Sequence, residues 1–278
     1  PDGRTIAFAA KGGLWIRPLA SETARHLEGT EAGAGQPFWS PDGRSIAYFN
    51  GTRKLMRIPA SGGTPAVVCN VLNPRGGSWS RDDQIVFAAA TGSGLFQVSA
   101  SGGTPVRVTT LDVSRGEFSH RWPEWLDGDT VLFTIGSSGN WSDAQIAAQS
   151  LSSGRRRVLV QGGTNPHVLE DGTLLFARNG RIEAVAMDAR SLTGSGKPVT
   201  VIEDVRQSAD GAAQLGVSPS GNAVFIPAGV DATQRRLVSV ARDGTSTPFA
   251  AAAGAYTFPR VSPDGKKLYS GMFQANTG

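Results

Sequence analysis

Apolar and polar positions alternate in short runs along this chain, and nearly every run stops at a turn signal. Phe38-Trp39 leads into Ser40-Pro41-Asp42-Gly43, and the alternating run Ser45–Phe49, built around Ile46 and Tyr48, follows. A period of two bounded by Ser, Pro, Asp and Gly predicts strand, tight turn, strand. Pro41 presets φ for its turn position, Asp42 tolerates the next and can bond its own backbone, and Gly43 can take the left-handed conformation that closes the hairpin. The unit recurs at Pro1-Asp2-Gly3, Ser80-Arg81-Asp82-Asp83, Leu126-Asp127-Gly128-Asp129, Glu170-Asp171-Gly172, Ser218-Pro219-Ser220-Gly221 and Ser262-Pro263-Asp264-Gly265. From Asp2 onward the steps are 40, 40, 45, 44, 49 and 44 residues.

A repeat of that length made of strands and turns is the signature of a propeller blade. Repeat two predicts four strands: A near Gln36–Ser40, B at Ser45–Phe49, C at Leu55–Pro59 and D at Ala66–Cys69. Ala60-Ser61-Gly62-Gly63-Thr64-Pro65 turns C into D, and Ala100-Ser101-Gly102-Gly103-Thr104-Pro105 repeats it. Paired glycines supply positive φ, and the following Pro suits an outer edge strand. Six A strands are readable, ending at Trp39, Trp79, Trp125, Leu169, Val217 and Val261, against seven B strands. The expectation is an all-β, six-bladed β-propeller of four-stranded antiparallel blades, closed by N- and C-terminal strands. The blades are set at 36–75, 76–120, 121–164, 165–212 and 213–254, with one more from 1–35 plus 255–265. Such closure removes two free sheet edges, and it leaves a surplus strand at 266–272.

Composition narrows the function classes. The chain has 278 residues, 39% hydrophobic, with 36 Gly, which suits one large all-β domain. No apolar run reaches membrane-spanning length. Neither a leader nor an initiator Met is seen, so a fragment of a longer protein is expected. The net charge of +4 is scattered apart from Arg155-Arg156-Arg157, which argues against nucleic acid. A single cysteine, Cys69, excludes an internal disulfide and a multi-cysteine metal site.

No familiar catalytic motif is found. Gly136-Ser137-Ser138-Gly139 lacks the spacing of a hydrolase elbow, and Gly194-Ser195-Gly196-Lys197 meets Pro198 where a phosphate loop needs Ser or Thr. His26, His120 and His167 are not spaced as a metal pair. Trp39, Trp79, Trp125 and Phe258 hold equivalent repeat positions and read as inter-blade core. The period breaks in a long loop at 109–122 and in an insertion at 136–143 that carries Asn140 and Trp141. Function concentrates where loops outgrow their repeat. The candidate ligand-binding residues, on the D-to-A loop face around the channel, are Arg75, Arg115, Glu117, His120, Arg121, Trp141, Asn165, His167 and Arg260. Arginines there favour a protein, peptide or small anionic ligand bearing carboxylate or phosphate. No cofactor, metal or catalytic residue is expected, although Glu117 and Asn165 would be two ligands if the chain were a calcium-dependent lactonase-like enzyme.

The stretch Pro37-Phe38-Trp39-Ser40-Pro41-Asp42-Gly43-Arg44-Ser45-Ile46-Ala47-Tyr48, echoed at Pro259–Leu268, resembles the TolB-like, WD-like propeller repeats of bacteria. Leu14-Trp15-Ile16-Arg17-Pro18-Leu19, Arg75-Gly76-Gly77-Ser78-Trp79 and Ser119-His120-Arg121-Trp122-Pro123 are similar to the C-terminal propeller of acidobacterial-type serine/threonine protein kinases. The resemblance implies a non-catalytic binding or sensor module, placed outside the cytoplasm, behind a kinase domain and a membrane helix. The chain itself carries no kinase motif. Two alternatives remain open: a periplasmic TolB-like interaction protein, and the propeller of a hydrolase of prolyl-oligopeptidase-like or lactonase-like type.

Overall fold

The computed structural model describes residues 1–137, 141, 143–188, 191–208, 210–227, 237–243, 245–249, 255–263 and 267–273. It is an all-β propeller. The described residues hold no α-helix, and none of their helices is long and apolar enough to cross a membrane.

Five blades are formed. The first has three strands, β1 (Thr5–Ala10), β2 (Gly13–Pro18) and β3 (Arg25–Leu27). Four-stranded antiparallel meanders follow: β4 (Gly35–Trp39), β5 (Ser45–Asn50), β6 (Lys54–Pro59) and β7 (Ala66–Asn70); then β8 (Gly77–Trp79), β9 (Gln84–Phe87), β10 (Phe96–Ser99) and β11 (Val106–Arg107). The fourth comprises β12 (Glu117–Trp125), β13 (Thr130–Ser137), β14 (Gln145–Ser150) and β15 (Arg156–Gln161). The fifth comprises β16 (Thr164–Val168), β17 (Thr173–Arg178), β18 (Arg181–Asp188) and β19 (Thr193–Ile202). Three two-stranded hairpins complete the described chain: β20 (Leu215–Val217) with β21 (Ala223–Phe225), β22 (Val238–Val240) with β23 (Ser246–Pro248), and β24 (Ala255–Val261) with β25 (Leu268–Phe273).

The hairpin chemistry explains the blades. Gly43 has φ 70° and Gly172 84°, and Asp83 takes 55° where the third repeat lacks glycine, a conformation Asp tolerates better than most residues. The Ser40 hydroxyl accepts from Ser45 N at 2.9 Å and donates to Asp42 at 2.6 Å. Ser80, Ser218 and Ser262 hold their turns with the same hydroxyl.

Strands buried on both faces fill the spaces between blades. Ile46 and Tyr48 of β5 face Leu14, Ile16 and Leu27 of the first blade, whereas Ala47 and Phe49 face Ile85 and Phe87 of the third. Val86 then packs with Val131 and Phe133, and Leu132 with Leu174 and Phe176. Phe38, Phe49, Phe87 and Phe96 form a chain of tilted ring contacts at 6.1, 6.4 and 6.3 Å. Each such ring removed from water contributes about 2 kcal/mol. Trp79 is buried in this layer, and Trp39 and Trp125 pack against neighbouring ones. Phe258's side chain lies outside the described residues.

Closure differs from the expected pairing. β24 pairs with β25, in the register Val261↔Leu268, rather than with β1. The short turn at Ser262 brings these two strands together at small loop-closure cost, so the surplus strand is the partner of β24. The Asn222 amide donates to Gly3 O at 3.3 Å, a bond between the β20–β21 turn and the turn ahead of β1.

Candidate functional site

The inner strands share a device that shapes the channel mouth. Registers of β4, β12 and β16 shift by a bulge between Gly35 and Phe38, Arg121 and Glu124, and Thr164 and His167. The first bulge residue is left-handed in each: Gln36 (φ 51°), Trp122 (50°) and Asn165 (53°), with Gly76 (85°) equivalent ahead of β8. Pro37, Pro123 and Pro166 come next, where the missing N–H costs no ladder bond. A left-handed non-glycine residue costs on the order of 1 kcal/mol, and here the bulge groups tie neighbouring blades. Gly76 N donates to Gln36 Oε1 (2.7 Å), Trp122 N to Arg75 O (2.9 Å) and Ala213 N to Asn165 Oδ1 (3.3 Å).

Arg75, Arg121 and Trp141 meet at this mouth. The loop after β19 carries Asp210, whose carboxylate lies 3.1 Å from Arg75 Nε and whose carbonyl accepts from Arg121 Nη1 at 3.3 Å. A loop leading into β20 thus reaches the third and fourth blades. Arg121 is 5% exposed, donates from Nε to Ser119 Oγ at 2.7 Å, and lies over the Trp141 ring at 4.4 Å. Gly136 and Gly211 make room for that indole, since a Cβ at either would come within about 3 Å of it. Burial, then repulsion from Arg75, pulls Arg121 down to about 10, with Asp210 opposing. It remains a cation at neutral pH. Arg75 Nε and Trp122 Nε1 are buried without a hydrogen-bond partner.

A second cluster joins the inner strands of the fourth and fifth blades. His167 Nδ1 lies 2.6 Å from Glu124 Oε2, Val168 N donates to Glu124 Oε1 at 2.7 Å, and His167 Nε2 lies 2.9 Å from the Asn165 amide nitrogen. Nδ1–H donating to Glu124 and Nε2 accepting from Asn165 satisfies every contact. Burial disfavours the imidazolium, but the charge and hydrogen bond of Glu124 outweigh it, so the His167 pKa is raised.

Glu117 and His120 are placed differently from Arg121. They were expected in a loop, yet they belong to β12, and a 3-10 turn at Val113–Arg115 precedes them. His120 has no exposed surface, stacks on Phe133 at 4.6 Å and contacts Thr109 Oγ1 (2.7 Å) and Glu117 Oε2 (3.0 Å). Glu117 also accepts from Asp112 N (2.8 Å) and from Arg156 (2.9 and 3.0 Å). Burial would raise this carboxyl, but the bonds from His120 and Asp112 and the Arg156 charge bring it to about 2. Burial lowers the His120 pKa against the pull of Glu117. The pair therefore holds β12 to the β15 arginine and offers a ligand no surface. Arg115 is 80% exposed and paired with Asp112 at 3.4 Å. Arg260 is exposed on β24. Asn140 lies outside the described residues. Glu117 and Asn165 keep separate partners, and among the described residues no three His, Cys, Asp or Glu gather as a metal site.

Asp210, Glu124, Gln36 and Trp122 escape a reading of motifs. The longest repeat step, 49 residues between Asp171 and Ser220, is the signal that marks the Asp210 loop. On the turn side, between the fourth and fifth blades, Asp127, Ser150, Ser153, Arg155, Arg157 and Ser191 line an open groove of about 710 Å³.

No protein-family model matches the chain, and no curated protein sequence matches it. Solved structures do. A protein assigned as TolB in Agrobacterium tumefaciens aligns at 20% identity over 72% of this chain and 77% of its own, with a TM-score of 0.58. TolB from Acinetobacter baumannii aligns at 18% identity over 90% of this chain and 64% of its own, with a TM-score of 0.62, so this chain spans less than two thirds of that protein. Regucalcin from Agrobacterium tumefaciens, described as calcium-binding, aligns at 15% identity over 85% of this chain and 81% of its own, with a TM-score of 0.52. Blades, bulged inner strands and these likenesses together make the chain a β-propeller similar in fold to TolB.

Proposed function

We propose that this propeller is a non-catalytic binding module whose ligand, a protein, peptide or small anionic molecule, sits at the channel mouth on the D-to-A side. The single observation that carries the reading is Arg121, a charged guanidinium held 95% from water beneath Trp141 and beside Arg75. Burying a cation is costly, and its bonds to Ser119 and to the Asp210 carbonyl bring it no paired carboxylate of its own; an aromatic plane over a guanidinium is a common recognition surface. The reading includes a closed ring of six blades, the sixth drawn from β20 to β23, and the Asn222–Gly3 bond supports it. It also includes a role as the C-terminal sensor of a bacterial serine/threonine kinase, which rests on the sequence resemblance alone. The test is a displayed peptide library selected on the intact chain, with binders measured against Arg121→Gln and Arg155→Gln. Loss with the first and none with the second supports the mouth; the reverse places binding on the turn-side groove.

A second reading, a metal-dependent propeller enzyme, draws on the likeness to regucalcin and on the Glu124–His167–Asn165 cluster. Calcium titration of the melting temperature separates the two: a rise favours the enzyme, and no change favours the binding module.

A further inference from the structure

We infer that the channel mouth is a carboxylate site and that Asp210 is its resident competitor, an internal carboxylate occupying the place a ligand's carboxylate takes. The inference rests on the channel-mouth reading and names its ligand chemistry. Three observations carry it. First, the corner is over-supplied with donors and positive charge. Arg75 and Arg121 are close enough to repel, and Asp210 is the carboxylate shared between them. Second, the guanidinium forks are largely unspent on it. Arg75 approaches Asp210 through Nε, yet that N–H makes no directed hydrogen bond, and its Nη1 serves Asn73 Oδ1 and Pro74 O. Arg121 meets only the Asp210 carbonyl, at 3.3 Å. Among the described residues neither Nη2 has a partner. A guanidinium fork matches a planar carboxylate two bonds at a time, and Asp210 forms no such pair. Third, Asp210 is lightly held. Its side chain is 31% exposed, and it is steadied by the Ser208 hydroxyl and a 3.4 Å bond from Ala212 N.

The physical consequence is a competition. A ligand carboxylate arriving at the mouth gains two desolvated bidentate partners and displaces a partner that uses them poorly. Asp210 keeps the two cations from facing each other uncompensated while the site is empty, and it weakens ligand binding by the free energy of its own contact. Removing its charge therefore tightens carboxylate binding.

The experiment titrates the intact chain with N-acetylglycine, N-acetylglycinamide and inorganic phosphate. It reads the fluorescence lost on Trp141→Phe, so that only the mouth indole reports. Asp210→Asn is expected to bind N-acetylglycine at least about tenfold more tightly than wild type, with the amide unbound by both. Arg75→Gln added to Asp210→Asn is expected to abolish the gain. Ser208→Ala, which loosens the Asp210 carboxylate without changing charge, is expected to show a smaller gain, and it keeps the test open if Asp210→Asn fails to fold. Equal affinity of wild type and both variants overturns the inference, as does an equal gain for the amide or tighter binding of phosphate. Library peptides that map to the mouth without depending on a carboxylate also overturn it, while leaving the mouth reading standing.

Discussion

Replacing Glu117 by Gln keeps the shape of the side chain and removes the charge beneath β12. Its side chain is 9% exposed and its carboxylate receives His120, Asp112 N and Arg156. Gln can still accept from one or two of these, but its amide NH₂ then faces a guanidinium donor, and Arg156 loses its counter-charge. A carboxyl that ionises at 4.5 in the unfolded chain and at about 2 in the fold contributes about 3 kcal/mol at neutral pH. That figure agrees with the range for breaking a buried pair from one side. Because the folded pKa is depressed, this stability is complete above the unfolded value of 4.5 and is lost as pH falls toward 2. Urea denaturation of wild type and Glu117→Gln is expected to give a gap of about 3 kcal/mol at pH 7, narrowing to about 1 kcal/mol at pH 3. The remaining carboxylates are present in both proteins and so drop out of the difference. A gap that stays constant across this range, or one well under 1 kcal/mol at pH 7, refutes the view that Glu117 is a buried structural anion.

Other outcomes follow from the same structure. Gly94→Ala would drive a Cβ into the Thr109 carbonyl oxygen, and a loss of about 3 kcal/mol or more is expected as a lower urea midpoint. For His167 the folded pKa is raised, so the stability from its pair with Glu124 is complete below the ordinary 6.5 and lost as pH rises through the folded value; Glu124→Gln should therefore cost more at pH 6 than at pH 9, and the imidazole NMR titration should move downward. Cys69 is 6% exposed and burial lifts its thiol to about 11, so iodoacetamide at pH 8 should label it only in denaturant.

The blades were legible because hairpin chemistry is local. Ser40, Asp42 and Gly43 carry their turn within four residues, and the strands of repeat two lie within a residue of their expected bounds. The double burial of β5 was not in that reading: Ser45–Phe49 reads as alternating around Ile46 and Tyr48, yet Ala47 and Phe49 are buried as well because the strand lies between two blades. β12 was harder. Glu117-Phe118-Ser119-His120-Arg121 is polar and followed by Pro123, and it becomes strand by pairing with β13 around a bulge that accommodates that proline. The site was legible in pieces. Arg121 and Trp141 were found by the breaks in the repeat and Arg75 by its place in a D-to-A loop, but what joins them is Asp210, 89 residues from Arg121 in the chain. No local pattern encodes that encounter, which arises only when inner strands of separate blades converge on one channel. Glu117 and His120 carried the residue types of a site and became a clamp, because the Glu117 carboxylate is fully engaged by His120, Asp112 N and Arg156.

The most direct measurement is hydrogen exchange by mass spectrometry on the intact chain, with and without a peptide selected for binding. A ligand at the channel mouth is predicted to protect the backbone at 73–77, 119–124 and 208–213, leaving the hairpin turns at 40–45, 80–84 and 126–130 unchanged. Protection at those turns, with the three mouth segments unaffected, would contradict the placement of the site.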